Sequence, residues 1–446
     1  MVLSFTAAIE RLQAAADHAK AYEDDDGATQ CINIHDAVGR IVLEDCVSPT
    51  STPIYDTSAM DGYAIEACAT DNATPSNPAV FEVVGMLTPG DDPSLIPEKK
   101  KADGKYQCIE IMTGARFPDV NSALGRLNAC VRVEDVSVIA SDRAGLDQPQ
   151  KCIAVTKPVK PWANRRRAGS DIQQSEALLK SGQRIMTSHI LPLASLGFKT
   201  LRVAAKPRIG IWSTGKEFIS EGSHSKDVNG PYLKAACREY GAEVAFLGHL
   251  DDRAQLLRSA FEAHAKSGDY DILITSGAVS AGKFDFVRDA LDDSNAGIVF
   301  HGLNIRPGHP VLFARFPANK PVAFFGLPGN PGAVAACFRF LIIPYLRRLQ
   351  GREAERPIAA KAVREKPGTG EDKESQHIIV PKREVDGFFT GRLQPTAWGT
   401  NAVLFSGRVN PAKLQPFIAA NCWVHVHAGS EVVEGSVVDC YTWTVS

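Results

Sequence analysis

Three short stretches of the chain combine glycine, hydroxyl residues and proline directly after apolar runs: "STGKEF" from Ser213, "TSGAVSAGKFD" from Thr275 and "LPGNPGAV" from Leu327. Gly215, Gly277, Gly282, Gly329 and Gly332 allow a backbone to approach a ligand closely or to take positive φ. Ser213, Thr214, Ser276 and Ser280 supply hydroxyls. Pro328 and Pro331 frame the last turn, where Asn330 either caps the following helix or donates to a phosphate oxygen. Free N–H groups at a helix start favour negative charge. Each turn taken alone reads equally as an ordinary strand-to-helix connection. Three in one stretch of alternating strands and helices point to a phosphorylated ligand. Neither GxxxxGK[ST] nor GxGxxG occurs, so neither a P-loop nor a Rossmann dinucleotide site is expected.

A second group lies toward the N-terminus. "PIYDTSAMDGYAI" places Asp56 and Asp61 around small residues, with Asp61-Gly62 as a turn dipeptide. It reads either as a hairpin with a capping aspartate or as a carboxylate held for a metal or for acid–base work. "IMTGARFP" offers Thr113 and Gly114 at a strand end. "NRRRAGSDI" sets Arg165, Arg166 and Arg167 beside Gly169 and Asp171, a cluster suited to an oxyanion or to a solvated face.

The elements that must carry these residues follow from periodicity. "RIGIW", "YDILI" and "VAFF" are continuous apolar strands, and amphipathic patterns such as "AQLLRSAFEAHAKSG" alternate with them. That alternation predicts a parallel, doubly wound sheet covered on both faces. Residues 49–150 read as a β-rich unit, and residues 353–446 as a small antiparallel β unit ending in "CWVHVHAGSEVVEGSVVDCYTWTV". Residues 1–48 and 151–205 form an N-terminal and linker unit, opened by a helix that Ser4 or Thr6 caps; residues 206–352 hold the α/β unit.

The chain has 446 residues, is 44% hydrophobic and 22% charged, and carries a formal net charge of -2. Near-neutrality argues against a general nucleic-acid binder. The ten cysteines show no CxxC pairing and read as reduced and mostly buried. With neither a secretory signal nor a membrane-spanning run expected, the reading is a cytoplasmic, multidomain protein.

Taken together, "SAMDGYAI", "IMTGARFP", "RRRAGSD", "STGKE", "DILITSGAVSAGKFDF", "RPGHPVLF" and "GLPGNPGAV" resemble the molybdopterin molybdenumtransferase family, which includes the bacterial enzyme and the gephyrin E domain. The order is that of the family, and the spacing nearly so, from about Ile34 to Gly351, and the C-terminal stretch looks like the family's terminal β-barrel. The resemblance implies an elongated homodimer with four subdomains per chain. Adenylylated molybdopterin and molybdate would be substrates, AMP would be released with Mg²⁺ assistance, and molybdenum would join the dithiolene sulfurs. It implies catalytic roles for Asp61, Thr113, Asp171 and Asp285, metal binding by Asp61, Glu217 and Asp285, and ligand binding at the three turns together with Pro307 and Gly308. The site would lie between the α/β subdomain of one chain and the Asp61/Thr113 region of the other, and a molybdopterin adenylyltransferase is a partner to test.

The chain departs from the family pattern at Ser170, Lys216, Ala278, Lys283 and His309. The family carries acidic residues at the positions of Ser170, Lys216 and Lys283, glycine at Ala278 and lysine at His309. Asp61, Thr113, Asp171, Glu217, Asp227 and Asp285 keep their types. A lysine ammonium donates only, so it cannot ligate Mg²⁺, but it neutralises a diphosphate as a point charge. Two readings follow: a molybdenum-inserting transferase, or a catalytically silent paralogue that binds a phosphorylated pterin or nucleotide as a scaffold.

Overall fold

The computed structural model describes residues 2–21, 29–96, 106–119, 124–141, 150–215, 226–251, 253–277, 279, 286–292, 294, 296–317, 320–364, 377–379, 384–397, 399–404 and 412–443. The chain divides into two compact units, one of Asp45–Lys180 with Ser188–Lys199, the other of Met1–Glu44, Ser181–Thr187 and Thr200–Ser446.

The first unit is built on a six-stranded sheet in the order Ala129–Arg132, Gly62–Ile65, Tyr106–Ile111, Ala79–Leu87, Gln150–Val155 and Val136–Ser141. Side chains alternate across it, as the two-residue period of a strand requires. Tyr63 and Ile65 join a core with Phe81, Cys108 and Ile153 on one face. Ala64, Ile109 and Ile111 join Leu87, Phe117 and Leu127 on the other.

In the second unit the α/β sheet runs Glu243–Leu250, Arg208–Thr214, Ile272–Ser276, Val322–Leu327, Leu312–Phe316 and Gly297–His301. The first four strands are parallel, as the continuous apolar runs predict. The last two are antiparallel, so the sheet is mixed. Only a short connection, Pro317–Pro321, joins Leu312–Phe316 to Val322–Leu327, and a parallel crossover needs a dozen or more residues. The helix Asn229–Glu239 buries Leu233, Ala236 and Cys237 against one face. Ala254–Ser267 buries Leu257, Phe261 and Ala265 against the other.

The N-terminal helix Phe5–Lys20 is capped by Ser4, whose hydroxyl accepts from the Ala7 N–H. It lays Ala8, Leu12, Ala15 and Ala16 into the same core as the helical run from Pro331 to Leu349. Asp17 and Arg348 close that contact with two hydrogen bonds of 2.6 and 2.8 Å.

At the C-terminus, the strands Ile358–Arg364, Asp386–Thr396, Gly399–Leu404, Cys422–Val426 and Val437–Thr442 pair in a closed ring, a five-stranded barrel. One pairing, Ile358–Arg364 with Gly399–Leu404, is parallel. Its interior holds Ala360, Ala402, Cys422, Val424 and Val438. All ten cysteines have free sulfurs, and seven are buried. Among the described residues no helix is long and apolar enough to cross a membrane.

Candidate functional site

In the first unit, Asp61 stands at the start of the strand Gly62–Ile65. An added Cβ on Gly62 would sit 2.0 Å from the Val131 carbonyl oxygen, so only glycine lets the neighbouring strand approach here. That close pairing fixes the position of Asp61. Its Oδ1 accepts the Thr113 N–H at 2.7 Å and the Thr113 hydroxyl at 2.9 Å. Of the two open readings, the turn-capping one is replaced: the aspartate grips a residue fifty-two positions away. The backbone hydrogen bond from Thr113, then its hydroxyl, hold the Asp61 carboxyl below the ordinary aspartate pKa. Both residues are exposed. Both hydrogen bonds fall on Oδ1, and none among the described residues falls on Oδ2, an exposed carboxylate oxygen of the kind a hard cation takes.

The arginine run divides its labour. Arg165 is buried and donates to Asp56 at 2.7 Å, and its guanidinium lies 4.6 Å from the ring centres of Phe117 and Trp162. Asp56 also accepts the Ala168 N–H at 2.7 Å. Arg165 is therefore internal structure, its guanidinium committed to Asp56 and to the Leu127 carbonyl. Arg166 pairs with Asp171 at 2.9 Å, both exposed, while Arg167 covers Trp162. Asp171 thus neighbours Arg166, and no hydrogen bond or ion pair joins it to Asp61 or Thr113. Ser170 is exposed on the same loop.

In the second unit the parallel register levels three strand ends: Ser213 is paired with Ser276, and Ser276 with Leu327. Ser213, Thr214, Gly215, Ser276, Gly277, Pro328, Gly329, Asn330 and Pro331 therefore meet at the carboxyl edge of the sheet, where open α/β sheets bind ligands. The turns are stitched together. The Thr214 hydroxyl donates to the Ser276 carbonyl at 3.0 Å, and the Gly277 N–H to the Leu327 carbonyl at 3.0 Å. Gly277 has φ +97°, and a Cβ there would meet the Thr214 carbonyl oxygen at 2.6 Å. The Ser276 hydroxyl is buried and has no hydrogen-bond partner among the described residues, which is costly unless a ligand supplies one.

Asn330 begins the Pro331–Cys337 helix with its backbone carbonyl, and its side chain makes no cap hydrogen bond. The Pro307–Gly308–His309 turn leads into Leu312, which pairs with Gly326 at the same edge. His309 Nδ1 lies 2.6 Å from the Leu303 carbonyl oxygen. Lys216, Glu217, Ala278, Ser280, Gly282, Lys283 and Asp285 lie outside the described residues.

Asp227, which the sequence marks only as keeping the family's residue type, proves central to this edge. Its carboxylate accepts the buried Ser213 hydroxyl at 2.7 Å and the Gly230 N–H at 3.0 Å, and lies 3.3 Å from His249 Nε2. Asn229 reaches the last turn, donating to the Gly329 carbonyl at 2.9 Å. The available signal was "DVNGP", an acidic residue and an asparagine opening a helix. A polar cleft of about 760 Å³, lined by Lys206, Arg208, Asp271 and Lys320 among others, opens at the opposite, amino end of the parallel strands.

The chain matches two family descriptions: "MoeA N-terminal region (domain I and II)" over residues 3–197 and "Probable molybdopterin binding domain" over residues 210–348. A molybdopterin molybdenumtransferase 2 from Mycobacterium tuberculosis is 32% identical over 326 residues, covering 71% of this chain and 74% of the relative. The chain belongs to the molybdopterin molybdenumtransferase family. A molybdopterin molybdenumtransferase from Synechococcus elongatus is 29% identical over 377 residues, covering 82% of this chain and 86% of the relative. Among solved structures, a molybdopterin biosynthesis moea protein from Pyrococcus horikosii superposes with a TM-score of 0.72 at 26% identity, over 100% of both chains. The second family match spans the three strand ends, so the levelled turns sit in the segment that the family description assigns to molybdopterin.

Proposed function

We propose that this chain is a transferase of molybdenum cofactor biosynthesis, which inserts molybdate into adenylylated molybdopterin and releases AMP. The observation that carries this reading is the levelled set of three strand-end turns, with a Ser276 hydroxyl that has no partner among the described residues, inside a family match over residues 210–348. The turns receive the phosphorylated end of the pterin; the Ser213 and Thr214 hydroxyls brace the turns, and the Ser276 hydroxyl, without a partner among the described residues, is the one left to donate to an anion. Asp227 and Asn229 keep Ser213 and Gly329 in place, so the hydrogen-bonding surface is set before substrate arrives. Asp61, ionised and oriented by Thr113, provides a carboxylate oxygen. By the family resemblance, Asp61 of one chain and Glu217 and Asp285 of its dimer partner would be the Mg²⁺ ligands, and a bound Mg²⁺ would neutralise charge on the adenylate diphosphate.

We further propose a homodimer, a molybdopterin adenylyltransferase as upstream partner, and a cytoplasmic location in keeping with ten free sulfurs. Incubating the purified chain with adenylylated molybdopterin, molybdate and Mg²⁺ tests the activity: AMP release together with active cofactor is expected. Tight binding of the substrate without AMP release would replace this reading with the silent scaffold. Light scattering at micromolar concentration tests the dimer, which a purely monomeric mass would refute.

A further inference from the structure

The barrel carries a cluster of chemistry-bearing side chains that the transferase reading does not use. "HVH" in the strand Cys422–Val426 and the residue after it places His425 and His427 two positions apart, hence on one face of the barrel wall. The antiparallel register pairs Gly387 with Val426, which sets Asp386 opposite His427. The other neighbour pairs His425 with Asp439. Three strands therefore bring two imidazoles and two carboxylates to one patch. His425 Nε2 lies 2.8 Å from Asp386 Oδ1, His427 Nδ1 lies 3.9 Å from the same oxygen, and the two imidazole ring centres are 4.1 Å apart. The donor atoms of Asp386, His425 and His427 all fall within 4.8 Å of one another.

We propose that Asp386, His425 and His427 form a binding site for a borderline first-row divalent cation such as zinc, with Asp439 as the positioning carboxylate. Donors at about 2.0–2.1 Å from a tetrahedral metal are about 3.4 Å apart, so the observed separations need only small side-chain rotations. Two imidazoles and one carboxylate suit zinc, cobalt or iron(II), and a three-ligand set leaves coordination positions open. His427 Nε2 is 2.9 Å from Asp439 Oδ2. A proton held there commits the Nδ1 lone pair to the metal, the usual outer-carboxylate arrangement of a metal-bound histidine. On metal binding, His425 Nε2 would give up its hydrogen bond to Asp386 for the metal, with the ring proton carried on Nδ1.

The surroundings are those of a built site with one open side. His425 is 3% exposed and walled by Phe5, Phe388 and Phe340, at ring-centre distances of 5.2, 5.0 and 5.9 Å. The Asp386 backbone is anchored through its N–H to the Asn304 carbonyl. The His427 side chain is 59% exposed, which gives a metal its entry path and gives that ring freedom to close on it.

Calorimetric titration of the untagged full chain with zinc chloride at neutral pH tests the proposal, with cobalt(II) absorption in the visible as a second readout. One zinc per chain is expected, and a tenfold excess of Mg²⁺, which prefers oxygen ligands, should leave it bound. His427→Ala removes an exposed ligand and should weaken zinc at least tenfold and abolish the cobalt band. Asp439→Asn should weaken zinc by about 10–100-fold, the usual cost of losing an outer-shell partner, while keeping the stoichiometry. Absence of zinc binding by the parent chain overturns the site. So does parent-like affinity in His427→Ala, since the bound metal would then lie elsewhere.

Discussion

Replacing Gly277 with alanine tests whether the strand-end turns are held at the spacing a ligand needs. The new Cβ would lie 2.6 Å from the Thr214 carbonyl oxygen and 2.8 Å from its hydroxyl, both on the neighbouring strand end. An L-residue in left-handed backbone costs about 1–2 kcal/mol. Relief of the overlap adds about 1–3 kcal/mol, because the atoms met belong mainly to backbone in a packed sheet. The expected loss is thus about 2–5 kcal/mol, with the two turns pushed apart. Gly268 supplies the control: its φ is +72° and nothing lies within 4 Å of an added Cβ, so only the backbone cost of about 1–2 kcal/mol applies. Urea unfolding followed by fluorescence measures both, since Trp212 is buried two residues before Thr214. Steady-state kinetics with adenylylated molybdopterin should show KM raised at least tenfold for Gly277→Ala and unchanged for Gly268→Ala. Equal destabilisation of the two variants, or an unchanged KM for Gly277→Ala, would refute the reasoning.

Asp61 has a lowered folded-state pKa, so the stabilisation it gains from Thr113 is present above its unfolded value and disappears as pH falls through the folded one. An NMR titration of Asp61 should therefore give a midpoint below that of a free aspartate, and Thr113→Val, which keeps the backbone N–H and removes the hydroxyl, should move it partway upward; an unmoved midpoint would discount the Thr113 hydroxyl as a cause. Asp61→Asn keeps the shape and removes the charge, and turnover should fall at least tenfold with the fold intact by circular dichroism. Arg165→Met leaves Asp56 without its cation and removes a guanidinium set between Phe117 and Trp162, so urea unfolding should show a loss of about 3 kcal/mol. Combining Ser170→Glu, Lys216→Asp and Lys283→Glu exchanges two cations for anions and adds a third anion; Mg²⁺ stimulation should rise above the parent's, and equal stimulation would put the lysines beyond the metal's reach.

Much of the α/β unit was legible in the sequence because its strands are buried on both faces. Such strands appear as uninterrupted apolar runs, and the glycine and hydroxyl residues after each run mark where the backbone must turn close to something. The strands read this way are indeed parallel, but the sequence reading placed neither of the two antiparallel strands in the sheet. The reversal of Leu312–Phe316 and Gly297–His301 depends on which edge the strands join, and apolar runs are the same in either direction. Local composition also could not reveal that Asp61 is held by Thr113, since fifty-two residues separate them and only the pairing of Gly62 with Ile111 brings them together. The same holds for Arg165. Three consecutive arginines look alike in sequence, but one is closed over by Phe117, Trp162 and Asp56 while its neighbours stay at the surface. Asp227 and the Asp386–His425–His427 cluster belong to the same class. Residue type and period fix the elements and the face each side chain takes. Which faces meet is decided by strand register and closure, and so only the tertiary structure assembled the polar groups of these sites.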